Sequence, residues 1–582
     1  MQRVWKAREL SAPAALPGLP PLLARLYAAR GVTADSLPAG GLAGLAPAAA
    51  LRGLDAALSL LEQALRQDWR ILIIGDFDAD GATSTALSVR ALRALGARHV
   101  DFLVPNRFTW GYGLTPGIVA EALREKRPDL IITVDNGIAS HDGVAAAQAA
   151  GVRVLITDHH LPGDTLPAAD AIVNPNQPGC DFPSKHLAGV GVVFYLLSAL
   201  RTRLRQQGWF VERGLAEPNM ADHLDLVALG TVADVASLDA NNRLLVQQGL
   251  ARMRAGRCCP GITALLKVAE RDPSRLVASD LGFVVAPRLN AAGRLDDMAE
   301  GIHCLLSDDP DQALRMAREL DALNLARRDI EGGMQQEAMS VLQSLQFTAD
   351  TLPDGLVLYD RHWHQGVIGI LAGRIKERYH RPVIAFAPAQ PPAHGEMPAE
   401  LKGSARSIPG VHVRDVLDAV ATRHPGLITR FGGHAMAAGL SLPSENLAAF
   451  REAFTRVLAD WVSPELLQAV LLHDGELGPA EITDASARLL RDAGPWGQGF
   501  PEPLFVGEFL LLEQRLLKER HLKMSVCHPD SNRVLDAIAF GVDRSVWPRT
   551  GCQRVRLAYR LDLNQFRGME TLQLRVEDLQ PA

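Results

Sequence analysis

Apolar and polar positions alternate with clear periods in the first third of the chain. Over residues 51–67 (LRGLDAALSLLEQALRQ) the apolar spacing is close to 3.6 residues, which predicts a helix. The next apolar run, 71–75 (ILIIG), is short and unbroken, as in a strand buried on both faces. Further strands are predicted at 100–104, 130–134, 153–157 and 171–173, with helices at 82–96, 115–126 and 141–150. This alternation of strand and helix predicts a parallel α/β sheet.

The pattern beyond residue 188 predicts more helices, then a second α/β region, then short strands. Helices are predicted at 188–207 and 219–255, and a long connecting helix at 309–346, in which Gly332-Gly333 is a candidate break. A second α/β region is predicted from 355 to about 460. Strands with turn residues between them are predicted at 504–512, 522–527, 534–540, 554–563 and 571–576. Regularly spaced short strands of this kind predict a small β-barrel.

A chain of 582 residues is too long for one hydrophobic core, so we predict several domains. The predicted segments are an N-terminal extension packed on the first domain (1–50), a first α/β domain with a helical insertion (51–305), a connecting helix (306–350), a second α/β domain (351–462) and a barrel domain (463–582).

Charge and cysteine content narrow the possible functions. The formal net charge is −6, so a protein that binds nucleic acid must confine its positive potential to local grooves. An acidic total also fits a site in which carboxylates hold metal cations. The six cysteines form no CxxC pair, which is typical of thiols in a reducing compartment. Without an apolar leader or a membrane-spanning run, we expect a cytoplasmic protein.

Acidic residues follow the first predicted strand directly. In GDFDADG (75–81), Asp76, Asp78 and Asp80 alternate, so in an extended segment all three side chains would point the same way. Three carboxylates on one side repel each other unless a cation neutralises them. An acidic surface turn is the alternative interpretation of this segment.

Three more segments carry acidic or imidazole groups. They are VDNG (134–137) with Asp135, TDHH (157–160) with Asp158, His159 and His160, and LGTVADV (229–235) with Asp234. Taken singly, each could be an ordinary turn, Asp-Asn-Gly above all. Taken together at successive strand ends of one sheet, they form an oxygen-dominated set with imidazoles, which suits Mn²⁺ or Mg²⁺. The set exceeds the needs of one ion, and two ions bridged by a carboxylate could activate a water and stabilise the leaving oxygen of a phosphodiester.

The order of these motifs resembles the DHH phosphoesterase superfamily, and RFGGHAMAAG (430–439) resembles its DHHA1 partner domain. The motifs RLNAAGR (288–294), HQGVIGILAGR (364–374), GSARS (403–407) and PWGQGFPEP (495–503) resemble the bacterial branch that degrades single-stranded DNA. The resemblance covers roughly residues 50 to 580. It implies that Asp78, Asp80, Asp135, His159 and Asp234 are metal ligands and that Asp76 and Asp158 are ligands or orient them. His160 would contact phosphate or support the ligands, and all of these residues except Asp76 are candidates for a catalytic role.

A nuclease must also bind a polyanion, and several basic or Gly-adjacent residues are candidates. They are Arg107, Arg288, Arg294, Arg374, Ser404, Arg406, Gly433 and His434. We expect Ser404 and Arg406 in a Gly/Ser loop whose backbone amides could cradle a phosphate. Any single arginine could instead be an ordinary surface residue. The resemblance implies that Arg107, Ser404 and Arg406 bind the 5′-phosphate and the scissile phosphates.

The predicted barrel is locally basic. Residues 510–560 contain ten Lys or Arg against five Asp or Glu. Trp547, Tyr559 and Phe566 could stack on bases or could belong to the core. A basic barrel with exposed aromatics suits single-stranded nucleic acid, and the resemblance implies an OB-fold.

The resemblance implies a single-stranded-DNA-specific 5′→3′ exonuclease that uses two divalent ions, Mn²⁺ or Mg²⁺, and releases 5′-mononucleotides in DNA repair and recombination. It also implies a single-strand-binding protein and a RecQ-type helicase as partners. We expect a monomer with no membrane association. Two alternatives stay open, a DHH phosphodiesterase for short oligonucleotides or cyclic dinucleotides, and an inactive scaffold in a replication complex. The dependence of activity on substrate length would distinguish the first alternative from the exonuclease. The intact acidic motifs argue against the second alternative.

Overall fold

The structure is a computed structural model that describes residues 3–9, 16–34, 37, 41–105, 113–344, 352–390, 398–544, 546–566 and 569–582. The chain divides into two compact units. The larger unit comprises Glu9–Asn324 and Asp474–Ala582, and the smaller unit comprises Met1–Arg8 and Leu325–His473. Among the described residues no single helix is long and apolar enough to span a membrane, although the bent pair Gly41–Ala50 and Leu54–Arg66 passes that test by length and composition.

The first α/β sheet of the larger unit has the predicted parallel topology. In chain order the elements up to this sheet are β1 (Val4–Ala7), α1 (Pro21–Ala28), α2 (Leu54–Arg66), β2 (Ile71–Gly75), α3 (Ala79–Ala94), β3 (Val100–Leu103), α4 (Pro116–Glu125), β4 (Leu130–Val134), α5 (His141–Ala149), β5 (Arg153–Thr157) and β6 (Ala171–Val173). The strand order is β3-β2-β4-β5-β6, and every pairing is parallel. Every residue of β2 and β4 is buried, because helices cover both faces.

A helical region follows the sheet. Its helices are α6 (Gly189–Gln206), α7 (Trp209–Arg213), α8 (Leu224–Ala233), α9 (Ala240–Arg254), α10 (Pro260–Val268), α11 (Ala278–Asp280), α12 (Ala286–Leu295), α13 (Met298–Leu306) and α14 (Pro310–Ser344). The single helix predicted at 219–255 was wrong, because the chain leaves the helical conformation after α8, where Val235 has a φ of 57°. The candidate break at Gly332-Gly333 was also wrong: α14 runs through both glycines. Just beyond them, Met334, Ala338 and Leu342 pack in a buried apolar cluster that holds this part of the helix in place.

The smaller unit contains a mixed sheet. Its elements are β7 (Leu356–Tyr359), α15 (Ile368–Tyr379), β8 (Val383–Pro388), β9 (Glu400–Arg406), α16 (Val413–Arg423), β10 (Arg430–Gly433), β11 (Ala437–Pro443), α17 (Leu447–Trp461) and β12 (Val470–His473). The five-stranded order is β10-β11-β9-β8-β7, in which β7 and β8 are parallel and the other pairs antiparallel. The N-terminal strand β1 pairs in parallel with β12 of this unit.

The C-terminal strands form the predicted five-stranded barrel. After α18 (Asp484–Asp492) come β13 (Phe505–Leu517), β14 (His521–Cys527), β15 (Val534–Ala539), β16 (Arg554–Phe566) and β17 (Met569–Pro581). They close in the order β13-β14-β15-β17-β16. Of the two alternatives for Trp547 and Tyr559, a stacking face or the core, the structure shows the core: both pack in the barrel core and are 4% and 0% exposed. The side chain of Phe566 lies outside the described residues.

The N-terminal extension does not pack on the first domain alone. Leu22, Leu23 and Leu26 of α1 belong to the apolar core of the barrel. Arg30 forms a buried ion pair with Asp474 at 2.9 Å. The apolar spacing in α1 predicts a buried face but not its partner, which is distant in sequence.

Candidate active site

Three acidic residues meet at the carboxyl edge of the parallel sheet. The register pairs Gly75 with Val134 and Val134 with Thr157, so β2, β4 and β5 end level with one another. Asp76, Asp135 and Asp158 each come directly after one of these strand ends. All three are buried, and parallel α/β sheets place their functional groups at this edge.

The segment 76–80 is not extended, so this part of the sequence prediction was wrong. Asp78 is the N-cap of α3, and its Oδ1 accepts hydrogen bonds from the backbone N–H groups of Asp80 (2.9 Å) and Gly81 (3.0 Å). Asp80 therefore lies in the first helical turn. Residues two apart on a helix do not face the same way, so Asp78 and Asp80 serve different parts of the site.

Asp80 is bound to the start of α6. Its Oδ2 accepts a hydrogen bond from the N–H of Gly189 at 2.6 Å, and its Oδ1 accepts one from the N–H of Val190 at 3.0 Å. A helix N-terminus favours a carboxylate. Burial and the charge of Asp78 outweigh these two bonds and raise the pKa of Asp80 to about 7.

Asp234 reaches the site from the end of a helix. The sequence analysis had placed it at a strand end, so that prediction was wrong. It is the C-cap of α8, one residue before the left-handed Val235. Its Oδ2 lies 3.7 Å from Nε2 of His159. The helix, packed against α3, brings this carboxylate beside residues that the sheet supplies.

The ligand atoms fall into three overlapping groups, in each of which they lie within 4.8 Å of one another. The groups are Asp76, Asp78 and Asp135; Asp80, His159 and Asp234; and Asp135, His159 and His160. Nε2 of His159 is 3.0 Å from Oδ1 of Asp135 and 4.0 Å from Oδ2 of Asp80. Asp135 and His159 therefore link the groups.

The electrostatics of these groups fit divalent cations. Burial first, and then the neighbouring carboxylates, raise the pKa values of Asp135 and Asp234 well above their usual range. Positive charge placed among the carboxylates would relieve this repulsion. These groups contain five carboxylates and two histidines. Mn²⁺ accepts both oxygen and imidazole nitrogen ligands, and the carboxylates supply the oxygen ligands that Mg²⁺ prefers.

Asp158 holds the two histidines in place. Its Oδ1 accepts hydrogen bonds from the N–H groups of His159 (2.7 Å) and His160 (3.1 Å) and lies 2.7 Å from Nδ1 of His160, while its Oδ2 accepts from the N–H of Ile138 (2.9 Å). Burial raises the pKa of Asp158, but the hydrogen bond and charge of His160 outweigh it, so the pKa is lowered. Burial likewise lowers the pKa of His160, and Asp158 outweighs it and raises that pKa to about 9. Asp158 thus orients the histidines.

Four asparagines support the site, and sequence reasoning missed them. Asn136 donates to the carbonyls of Ile74 (3.1 Å) and Val134 (2.9 Å), which ties the ends of β2 and β4 together. Asn290 accepts from the N–H of Ala79, Asn174 donates to the carbonyl of His160, and Asn176 donates to the carbonyl of His159. Apart from the bond between Asn136 and Val134, these contacts join residues at least 14 positions apart, so no local pattern points to them.

The basic candidates of the larger unit are placed differently from one another. Arg288 donates to the carbonyl of Val284 and forms an ion pair with Asp321 at 2.9 Å, so its guanidinium is engaged within the protein. Arg294 is half-buried near the end of α12. Arg107 lies outside the described residues.

In the smaller unit, Ser404 and Arg406 lie in strand β9, so the predicted Gly/Ser loop was wrong. The strand pairs with β8 on one side and β11 on the other, and its backbone groups serve these ladders instead of a phosphate. Side chains are left for binding: Nη1 of Arg406 donates to Oγ of Ser404 at 3.1 Å. Burial lowers the pKa of Arg406, and among the described residues no carboxylate pairs with it.

The remaining candidates of this unit lie on α15 and in a hairpin. Arg374 is held by Glu331 at 3.1 Å. Gly433 ends β10 with a φ of 139°, and the N–H of His434 donates to the carbonyl of Ala437 at 2.8 Å. These contacts close the hairpin between β10 and β11, with Gly433 and His434 exposed.

Three family models match the chain. They are the DHH family N-terminal domain over residues 70–231, the DHHA1 domain over 353–460 and the RecJ OB domain over 473–578. The first two models cover the sheets that carry the acidic groups and Arg406, and the third covers the barrel.

Curated relatives and solved structures agree with these models. The chain is 56% identical over 577 residues to the single-stranded-DNA-specific exonuclease RecJ of Escherichia coli (strain K12), covering 99% of both chains. The crystal structure of RecJ with Mn²⁺ from Thermus thermophilus is 32% identical, with a TM-score of 0.78 over 99% of this chain and 79% of that one. The Mg²⁺ complex from the same organism matches with a TM-score of 0.74 at 31% identity, over 99% of this chain and 78% of that one. This chain therefore belongs to the RecJ family, with the DHH, DHHA1 and OB domains of that family.

Proposed function

We propose that this protein is a single-stranded-DNA-specific exonuclease that degrades DNA in the 5′→3′ direction and releases 5′-mononucleotides, in DNA repair and recombination. The observation that carries the proposal is the set of three overlapping ligand groups linked through Asp135 and His159. A shared carboxylate is what a pair of neighbouring cations requires. The E. coli relative, named as a single-stranded-DNA-specific exonuclease, supports the choice of substrate.

The residues that would hold two Mn²⁺ or Mg²⁺ ions are Asp76, Asp78, Asp80, Asp135, His159 and Asp234. Bound there, the ions would lower the pKa of a water and offset the charge on the scissile phosphate. The chain's own part is to hold the ligands rigidly. Asp158 fixes the two histidines, the N-terminus of α6 fixes Asp80, and Asn136 ties the strand ends that precede Asp76 and Asp135.

A phosphate of the DNA would bind the side chains of Ser404 and Arg406 in the smaller unit. The guanidinium of Arg406 is half-buried and has no carboxylate partner among the described residues, so it is a strong candidate for a phosphate ligand, because a charge-assisted bond compensates its desolvation. The exposed Gly433 and His434 are candidates for the neighbouring contacts. Roles for Arg107, Arg288, Arg294 and Arg374 stay predictions.

The test uses one oligonucleotide labelled at either end. With Mn²⁺, a 5′ label should appear at once as a mononucleotide, whereas a 3′-labelled strand should shorten stepwise from full length. EDTA should stop both reactions, and duplex DNA should resist digestion. Digestion that persists in EDTA, or a folded wild-type protein without activity, would contradict the proposal.

Substrate length separates the proposal from its main alternative. A processive exonuclease for long strands should cleave a strand of roughly 40 nucleotides with a higher kcat/KM than a dinucleotide or a cyclic dinucleotide, and the reverse order would favour the small-substrate phosphodiesterase. The ligand groups needed for catalysis are all present, which argues against an inactive scaffold. The expected partners, a single-strand-binding protein and a RecQ-type helicase, and the monomeric state stay predictions.

A further inference from the structure

The short segment between α8 and α9, residues 234–239, carries Asp234 and is here called the Asp234 loop. Its far end is fixed: Asp239 caps α9 by accepting from the N–H of Asn242 at 2.9 Å and from Oγ of Ser184 at 2.7 Å. Its near end is strained, because Val235, a β-branched residue, has a φ of 57° and is exposed. Strain of this kind persists only when surrounding contacts hold it.

One such contact comes from the segment that leads into the barrel. Residues 497–500 form a tight turn in which the N–H of Gly497 donates to the carbonyl of Phe500 at 2.9 Å and the N–H of Phe500 donates to the carbonyl of Gly497 at 3.1 Å. We call these four residues the tip. The carbonyl of Gln498, within the tip, accepts from the N–H of Leu238 in the Asp234 loop at 2.7 Å.

The tip also approaches the Asp234 loop closely enough that a side chain would not fit. A Cβ at Gly497 would lie 2.9 Å from Cδ1 of Leu238. A Cβ at Gly499 would lie 3.1 Å from Oγ of Ser237, and Gly499 has a φ of 71°. Both distances are shorter than ordinary van der Waals contact, so a methyl group there must displace the side chain of Leu238 or Ser237 in the loop.

The base of the tip is rigid. The ring of Trp496 stacks on Phe500, with centroids 5.1 Å apart and planes within 9°. The guanidinium of Arg30 lies over Trp496 at 5.3 Å, and that of Arg243, on α9, lies over Phe500 at 4.4 Å. Phe500 is 2% exposed and belongs to the core of the first domain. The tip is therefore anchored on one side in the core that also carries the Asp234 loop.

We propose that residues 497–500 position Asp234, so that the segment leading into the barrel helps to complete the ligand group of Asp80, His159 and Asp234. The inference rests on the proposed function for its metal chemistry. The tip touches no ligand atom among its described contacts and acts through the backbone N–H of Leu238 and the close approach of Gly499 to the side chain of Ser237. Its residues are positioning residues.

The first test is Gly499→Ala, with Gly256→Ala as the matched control. Gly256 has the same φ of 71°, but a Cβ there would meet nothing within 4 Å. Both variants carry equal backbone strain, and only Gly499→Ala pushes on Ser237. Without DNA, Mn²⁺ binding followed by the electron paramagnetic resonance signal of the free ion should weaken by about tenfold or more in Gly499→Ala, the usual effect of losing support for a ligand. It should stay within about twofold of wild type in Gly256→Ala.

The second test is Gly497→Ala, alone and with Leu238→Val. The shorter valine removes the Cδ1 atom that the new methyl would meet, so the double variant should recover most of the Mn²⁺ affinity that Gly497→Ala loses. On single-stranded DNA, Gly497→Ala should lower kcat and leave KM within about threefold, because the lost support acts on the ligand group and not on DNA binding. A general loss of folding would not be repaired by a smaller core residue.

The outcomes separate the two proposals. Equal Mn²⁺ affinity in Gly499→Ala and Gly256→Ala would overturn the positioning role, as would failure of Leu238→Val to restore Gly497→Ala. If wild type binds Mn²⁺ but digests no DNA, the proposed function fails, while the Mn²⁺ measurements still decide the role of the tip. Circular dichroism melting of each variant shows whether it is folded under the assay conditions.

Discussion

The two sheets hold their charged groups in opposite ways. In the parallel sheet the charged residues follow the strand ends, where the backbone is released from the ladder and can turn the side chains to one place. In the mixed sheet Ser404 and Arg406 stand on the face of a strand whose backbone is paired on both sides. The first arrangement gathers side chains from several segments, and the second presents them from one.

The sign of the charge differs as well. The edge of the parallel sheet gathers carboxylates whose pKa values are raised by burial and by one another, and it favours cations. The mixed sheet holds a half-buried guanidinium without a carboxylate partner among the described residues, and it favours an anion. We therefore expect one region to bind metal and the other to bind phosphate, and each expectation can be tested by itself.

Asp135→Ala should have the largest effect. Because Asp135 links two of the ligand groups, its loss should reduce DNA hydrolysis by roughly 10³-fold or more, the equivalent of several kcal/mol of lost charge stabilisation. Binding of single-stranded DNA in EDTA, followed by fluorescence anisotropy, should stay close to wild type. Asp142→Ala, an exposed carboxylate in α5, is the control and should retain full activity. Substantial activity in Asp135→Ala would place the metal site elsewhere.

Mn²⁺ should stabilise the protein through the parallel sheet. At a free concentration of about 100 times Kd, one site contributes about 2.7 kcal/mol, which raises the Tm of the larger unit by about 3 °C. The rise should disappear with EDTA and in Asp135→Ala. Differential scanning calorimetry measures this rise in Tm. An equal rise in Asp135→Ala would contradict the proposal that Mn²⁺ binds at the parallel sheet.

Arg406→Ala should act on substrate binding. Loss of a charge-assisted hydrogen bond to phosphate costs about 1.5 to 3 kcal/mol, so KM for single-stranded DNA should rise about tenfold or more. A plot of log K for DNA binding against log salt concentration should also have a slope that is less negative by about 0.7. Arg423→Ala is the control, because Arg423 is exposed and paired with Asp460 at 2.9 Å. An unchanged KM in Arg406→Ala would argue against a phosphate site on the mixed sheet.

Ala405→Gly should have the smallest effect, and it tests the strand directly. Ala405 is buried in the core on the opposite face of β9 from Ser404 and Arg406, so glycine should lower the free energy of unfolding by about 1 kcal/mol. KM should change by less than about twofold, because the side chains that bind keep their places. If residues 403–407 formed a phosphate-binding loop, KM would change markedly without a loss of stability. That result would contradict the assignment of Ser404 and Arg406 to a strand.

The sequence predicted best where one physical cause dominates. The five strands of the parallel sheet were located within one residue at each end. In β2 and β4 the cause is burial on both faces, which leaves unbroken apolar runs. The convergence of Asp76, Asp135 and Asp158 follows from the parallel topology alone. The fold class was confirmed, whereas the domain boundaries stay predictions.

The errors arise where the local pattern is compatible with two structures. Asp78 was expected in an extended segment, but an aspartate before a helix is also an N-cap. GSARS is rich in small residues and suggests a loop, yet two neighbouring strands complete its hydrogen bonds. From the sequence, Tyr559 could either stack on a base or pack in the core. Only the closure of the barrel shows that it packs in the core. The supporting asparagines could not be assigned, because an amide shows nothing of its partner in the sequence.

The bonds between Asp80 and the first turn of α6 give this carboxylate two roles. Its oxygens accept from the amides of Gly189 and Val190, so a side chain that would hold a cation also fixes the start of a helix. The same double duty makes Asp80 a poor target for mutagenesis, since its replacement would disturb a helix and a ligand group in one stroke.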